Sequence, residues 1–268
     1  MATSRHSQGR RLDRLHDRPD VWSHGRARRF DLAAHARTLA DPLLERLLVV
    51  GTGRTILEIG PGPGRHTIPL ARVARSVVAM EPSAAMRESL AANLAAAGVE
   101  NVSVIAGRWP DDANGVGKVD LALCAHVLYP VVEIAPFLRG LHEDTTETIF
   151  CQMHFGQRDG PYRDLFRAMW EEARCPAPDV LDLFNVAHEL GFAAEFTLAP
   201  APAFRVFPTF ENALEIALQD TLNPEGRRAE ELAVAFLRER LRPEDEGFAL
   251  TTDCPLSGIM SWRGEAER

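Results

Sequence analysis

The chain reads as an α/β protein built on a seven-stranded, mostly parallel, doubly wound sheet. Three observations predict this. Short apolar-rich runs alternate with helical patterns from about residue 55 onward. The runs are apolar on both faces, as expected of parallel strands covered by helices on each side. The first run leads directly into the glycine loop Gly60-Pro61-Gly62-Pro63-Gly64, and a helical run follows it. A strand, a glycine turn and a helix form the edge at which such sheets bind nucleotide-type ligands.

Along the chain, residues 1–20 are charged and aperiodic and are expected to form a mobile arm. From about Arg26 to Val50 the pattern is helical, through Phe30, Leu32, Ala33, Ala36 and Leu39, with Pro42 opening a second piece at Leu43, Leu44, Leu47 and Leu48. Strands are expected at Thr55–Ile59, Val77–Glu81, Val102–Ala106, Leu121–Ala125 and Thr148–His154, with helices at 66–74, 84–97 and 131–141 between them. Ser83 caps the helix over 84–97 and Gly98 ends it. Helices at 162–174 and 179–190 follow, Gly191 ending the second, then a sixth strand at Phe192–Leu198 and a seventh at Pro255–Arg263.

Between those last two strands, residues 203–247 carry two amphipathic helical patterns, 209–220 and 224–241. The second shows the stripe Leu232, Ala235, Phe236 and Leu241. Long insertions in compact domains are commonly lids or binding elements. Residues 203–247 are read as a helical cap over a substrate pocket, with a packing or dimer surface as the alternative. The expected organisation is an arm (1–20), a ligand-binding domain with an N-terminal helical cover (21–202), the insertion (203–247) and a closing strand segment (248–268).

Composition narrows the function. A net charge of −8 opposes broad nucleic-acid binding, which needs a basic footprint. No apolar run is long enough to span a membrane, and the polar, arginine-rich N-terminus has no apolar signal region. Cys124, Cys151, Cys175 and Cys254 form no CxxC pair, so neither a zinc site nor a disulfide framework is indicated. A cytoplasmic monomer or homodimer is expected.

The glycine loop says more. A pyrophosphate cradle needs backbone N–H donors, and Pro61 and Pro63 have none. The loop suits a ligand held by shape and a few carboxylate contacts, which favours S-adenosylmethionine (SAM), a sulfonium with an amino-acid tail and no phosphate. Glu81 ends the next strand, 17 positions past Gly64. An acid placed there takes the two ribose hydroxyls of a nucleoside.

With these residues in place, the sequence Leu57-Glu58-Ile59-Gly60-x-Gly62-x-Gly64 and Glu81 resemble the first motif and the ribose-binding acid of the class I SAM-dependent methyltransferases, over roughly residues 50–155. The resemblance implies a Rossmann-like fold. It implies that Glu58 helps hold the amino end of the methionine moiety, with Gly60 and Gly62 close by, and that Pro82, Ser83 and Met86 lie near the ribose and adenine. N-terminal helices often cover the cofactor in this family, which makes Trp22 and Phe30 candidate cover residues. Many relatives carry an adenine-binding acid where Arg108 stands; Arg108 cannot accept that bond, so backbone and Trp109, by stacking, are expected to serve adenine.

Ligands in open α/β sheets bind beyond the carboxyl ends of the strands. The acceptor is therefore expected near Cys124-Ala125-His126-Val127-Leu128-Tyr129, after the fourth strand, and near Cys151-Gln152-Met153-His154, after the fifth. Cys124 borders the cofactor side. His126 is the first candidate for a base or substrate hydrogen bond, followed by Tyr129. His154 would share the rim. The acids that hold magnesium in catechol-type relatives are replaced here by Cys124, Ala125 and His126, so no metal is expected. The expected activity is methyl transfer from SAM, leaving S-adenosylhomocysteine, to an oxygen or nitrogen of a small-molecule acceptor. A non-catalytic SAM-binding regulator and an NAD(P)-dependent oxidoreductase on the same fold edge are the alternatives.

Overall fold

A computed structural model describes residues 41–156, 161–173, 177–200, 204–222, 226–244, 247–251 and 256–265. The expected arm, the cover residues Trp22 and Phe30, and Cys175 and Cys254 lie outside the described residues.

Asp41 opens the described chain by capping helix α1 (Pro42–Val50), where proline at the first position costs no hydrogen bond. Strand β1 (Thr55–Ile59), helix α2 (Thr67–Ala71), strand β2 (Ser76–Met80), helix α3 (Ala84–Ala97) and strand β3 (Val102–Ile105) follow. Ser83 caps α3 by accepting from Met86 N–H, and Gly98 closes it in the left-handed conformation, as the sequence implies. Then come β4 (Val119–Ala125), α4 (Ile134–Asp144), β5 (Thr145–His154), α5 (Arg163–Trp170), α6 (Val180–Glu189) and β6 (Glu195–Pro200). After a long excursion the chain returns as β10 (Leu256–Arg263).

These strands form one seven-stranded sheet in the order β3-β2-β1-β4-β5-β10-β6. All pairings are parallel except those of β10, which runs antiparallel to both β5 and β6. The order reverses between β1 and β4, which makes their carboxyl ends the crevice of the sheet. Alternate residues feed two cores. Leu57, Ile59, Ala122, Cys124, Ile149 and Cys151 pack beneath α4 and α6. Ile56, Val77, Leu121, Leu123 and Phe150 pack beneath α1 and α2, and Ala79 packs beneath α3. Glu58 points to the α1–α2 side by the same alternation.

Several boundaries differ from expectation by a few residues, two of them for visible local reasons. The sixth strand starts at Glu195 rather than Phe192, because Phe192 belongs to the end of α6: its N–H donates to Ala187 O, and Gly191 adopts φ +83°. Its ring then stacks on Trp262 at 5.7 Å. Helix α4 begins at Ile134 rather than residue 131, because Val131 N–H closes a turn onto Leu128 O.

The insertion between the last two sheet strands is present, and it is more than helical. Helices α7 (Phe210–Asp220) and α8 (Arg227–Arg240) are joined by a three-stranded antiparallel sheet, β7 (Phe204–Phe207), β8 (Arg242–Glu244) and β9 (Gly247–Thr251), in the order β7-β9-β8. The buried stripe of α8 is Ala229, Ala233 and Leu237, flanked by Leu232 and Phe236; Ala235 faces out. The alanines carry little hydropathy, so the larger side chains drew the apparent stripe off centre. This core also takes in Tyr162 and Leu165 at the start of α5. Trp170 Nε1 donates to Thr221 O at 2.8 Å, and Arg240 pairs with Asp164 at 3.0 Å. The insertion is thus fastened to α5, the helix that follows β5.

Leu237 is fully buried in that core. Leu237→Ala is expected to lower stability by about 2–5 kcal/mol in urea unfolding, the usual range for a truncated core leucine. A loss below about 0.5 kcal/mol, typical of surface substitutions, would show that α8 does not pack this way.

Candidate active site

The glycine loop leaves β1 at the crevice, and each of its three glycines answers a different demand. A Cβ on Gly60 would lie 2.4 Å from Val127 Cγ1, so the loop after β4 rests directly on the loop after β1. A Cβ on Gly64 would lie 2.8 Å from Leu90 and 3.2 Å from Ile68, so this glycine lets α2 and α3 close on the turn. A Cβ on Gly62 would meet only Met86 Sδ, at 4.0 Å, leaving a cradle above the backbone. All three have positive φ, between +55° and +100°.

Glu81 closes this cradle from the neighbouring strand. It is buried, and its two oxygens are held separately: Oε2 accepts Gly62 N–H at 3.2 Å and Oε1 accepts Ser83 N–H at 3.0 Å. Gly62 is one of the loop positions that proline has not stripped of its donor. Arg87 fixes the strand end behind the carboxylate, donating to both Glu81 O and Pro82 O at 2.8 Å. Met86 is buried against the loop and Pro82 is exposed on the rim.

Glu58 lies on the floor. It is 2% exposed, and Oε2 accepts the Thr67 hydroxyl at 2.7 Å. Burial pushes its carboxyl up; His66 and the Thr67 bond act the other way, and the charge of Glu81 adds to the rise. A buried acid in this condition is a natural seat for a ligand ammonium, whose charge would hold it ionised.

On the other side of the crevice, β4 and β5 are in register at Cys124 and Cys151. Beyond them His126 adopts φ +59°, uncommon for a residue with a side chain. Its N–H donates to Gln152 O at 2.8 Å, and its Nδ1 lies 2.8 Å from Tyr129 Oη. Tyr129 Oη also accepts His154 N–H at 2.9 Å. The His126 and His154 rings are 4.7 Å apart, and Tyr129 stacks on His154 at 5.8 Å. The structure therefore gathers His126, Tyr129 and His154 into one half-buried cluster on the rim.

Three other sequence candidates are placed differently. Cys124 lies in the core beside Cys151, where burial pushes its thiol far up. Trp109 is 6% exposed, its Nε1 donates to Phe137 O at 3.1 Å, and its ring packs against Gly140. That indole is built into the core under α4. Arg108 is exposed, and its N–H donates to Asp112 Oδ2 at 2.8 Å.

Sequence reasoning passed over a cluster at the exit of the glycine loop. Asp41 accepts Leu44 N–H through Oδ1 at 3.2 Å, while Oδ2 pairs with Arg65 and lies 3.3 Å from His66 Nε2. Burial opposes the charge of Asp41, yet His66, Arg65 and the Leu44 N–H together hold its carboxyl well below the usual range. The available signal was an Asp-Pro helix start and an Arg-His pair directly after the loop.

Two outcomes follow from this geometry. Gly60→Ala, with its Cβ forced against Val127 at positive φ, is expected to cost about 1–3 kcal/mol in urea unfolding; an unchanged midpoint would contradict the close approach. For Asp41, the unfolded carboxyl takes its proton near pH 3.8 and the folded one only at lower pH. The stabilisation is thus present above that value and lost as pH falls below it. The stability gap between the parent chain and Asp41→Asn is expected to shrink below about pH 4; a gap independent of pH would contradict the ion-paired assignment.

Comparison with known proteins places the chain's domain and fold among similar ones. The family described as "Methyltransferase domain" matches residues 56–147. A protein-L-isoaspartate O-methyltransferase of Syntrophobacter fumaroxidans is 32% identical over 107 residues, covering 37% of this chain and 43% of that protein; the chain thus spans less than half the length of this curated relative. A solved structure from Bacillus halodurans, described as a "putative methyltransferase", superposes with a TM-score of 0.55 at 14% identity, covering 84% of this chain and 100% of the other. Magnesium protoporphyrin IX methyltransferase from Synechocystis, solved with bound S-adenosylhomocysteine, superposes with a TM-score of 0.52 at 11% identity, covering 88% and 94%. The open cradle over Gly62, the pinned carboxylate of Glu81 and the buried acid Glu58 fit a nucleoside carrying an amino-acid tail. Residues 56–147 match a methyltransferase domain, and the chain shares the fold of these solved structures.

Proposed function

We propose that the protein moves a methyl group from SAM to an oxygen or nitrogen of a small-molecule acceptor, as a cytoplasmic enzyme. The observation that carries this reading is the placement of two acids around one glycine loop, Glu58 from β1 and Glu81 from the end of β2, with the His126–Tyr129–His154 cluster at the carboxyl ends of β4 and β5 in the same sheet. When bound, SAM supplies an electrophilic methyl group on a sulfonium that is already a good leaving group. The residues of this chain then have three tasks.

The first is to hold the donor. Glu81 takes the ribose hydroxyls with the oxygens that Gly62 and Ser83 orient, and Glu58 faces the ammonium. The second is alignment, the main source of rate in a displacement of this kind. Val127 sets the depth of the acceptor side by resting on Gly60. The third is proton removal, needed when the acceptor is a phenol or a protonated amine. In the tautomer with Nδ1 protonated, His126 donates to the Tyr129 oxygen, which also accepts His154 N–H. Nε2 then holds the lone pair that takes the acceptor's proton. The strained backbone of His126 is consistent with a positioned functional group.

The small-molecule class is supported by the insertion. It is fastened to α5 just after β5, on the acceptor side, and the net charge of −8 opposes a nucleic-acid acceptor. The relatives' names point elsewhere, four to protein acceptors and one to ribosomal RNA. Activity on a metabolite panel, with none on isoaspartyl peptides, supports the small-molecule reading; the reverse pattern overturns it.

Glu81→Ala is expected to weaken S-adenosylhomocysteine binding at least tenfold in calorimetry with the fold intact, as loss of a charge-assisted pair of bonds implies; unchanged affinity would sink the ribose assignment. Glu58 gives a pH test. Its carboxyl is raised by burial, and only the ionised form attracts the ammonium. Affinity is therefore expected to fall as pH is lowered through the raised value, and Glu58→Gln is expected to remove that dependence. Equal pH profiles for the two chains would count against the role given to Glu58.

A further inference from the structure

The cluster at the loop exit supports a residue role beyond the cofactor contacts above. We infer that Asp41 is a positioning residue for the amino-acid end of the cofactor, acting through His66 and Thr67 on Glu58. This rests on the cofactor reading already given.

Asp41 touches three things at once. Oδ1 caps α1, while Oδ2 engages Arg65 and His66, the two residues that directly follow Gly64. The side chains of Asp41 and His66 are 10% and 6% exposed, so the contact is largely shielded from solvent and salt. His66 is followed by Thr67, whose hydroxyl holds Glu58 Oε2 at 2.7 Å. His66 also acts directly on Glu58, favouring its charged form. The backbone ties the same segment down: Ile68 N–H donates to Gly64 O at 3.1 Å and Leu70 N–H to His66 O at 3.0 Å. A continuous path therefore runs from the cap of α1 through the loop exit to the acid beneath the ammonium seat.

The hydrogen-bonded path leads to Glu58, which meets Glu81 through charge, while Gly62 and Ser83 hold the oxygens of Glu81. Asp41 should consequently govern the methionine end of the ligand and leave the nucleoside end alone. That asymmetry separates positioning from general support, because a merely structural residue would weaken both ends together.

Asp41→Ser gives the cleanest test. Serine caps a helix about as well as aspartate does, so α1 keeps its start while the carboxylate is lost. The full chain and the variant are titrated calorimetrically with S-adenosylhomocysteine and with 5′-methylthioadenosine, which keeps the nucleoside and lacks the amino-acid tail. The expected result is about a tenfold weaker S-adenosylhomocysteine complex, the scale of one charge-assisted interaction, with methylthioadenosine affinity unchanged. His66→Gln, which leaves the α1 cap intact, is expected to show the same selective loss and covers the case in which Asp41→Ser does not fold. Unchanged affinity for both ligands, or equal loss for both, overturns the inference. A parent chain that binds neither ligand overturns the cofactor reading itself.

Discussion

The architecture of the cleft depends on one carboxylate crossing between two strands. Glu81 belongs to the end of β2, yet one of its oxygens is bonded to Gly62 in the loop after β1 and the other to Ser83 at the start of α3. The loop carries two prolines and so has few donors with which to hold itself or a ligand. The Glu81 bond supplies the missing constraint, and Arg87 holds the strand end from behind. The same carboxylate offers acceptors of the kind that take ribose hydroxyls.

The donor and acceptor sides are joined by contact rather than by chemistry. Val127 rests on Gly60, and the turn that delivers Val127 is set by the left-handed backbone of His126. That conformation is retained because Gln152 O, Tyr129 and the β5 end together fix it. Tyr129 and His154 thus both support the turn and, with His126, form the rim cluster. The insertion is fastened to α5, the helix that follows β5 in the chain.

Much of the fold was legible because its signals are local. Continuous apolar strands, the glycine loop, the Ser83 cap and the Gly98 stop each act within a few residues, and β1 and α3 fall where those signals place them. The three-stranded sheet of the insertion was not legible. Its strands are short, β8 is wholly exposed and contains proline, and none shows clean alternation. At the site, Glu58, Glu81 and the three glycines announce themselves by spacing. Trp109 and Cys124 were assigned by their distance from strand ends, and spacing does not reveal on which face a side chain emerges. The Asp41–Arg65–His66 cluster was hidden because Asp41 lies 24 positions before Arg65, and arginine is abundant throughout the chain.

The most direct test of the account is a calorimetric titration of the full chain with S-adenosylhomocysteine and, separately, with NAD. The geometry of Glu81 on a proline-bearing loop predicts one S-adenosylhomocysteine bound per chain and no detectable heat with NAD. Binding of NAD with no response to S-adenosylhomocysteine would contradict it.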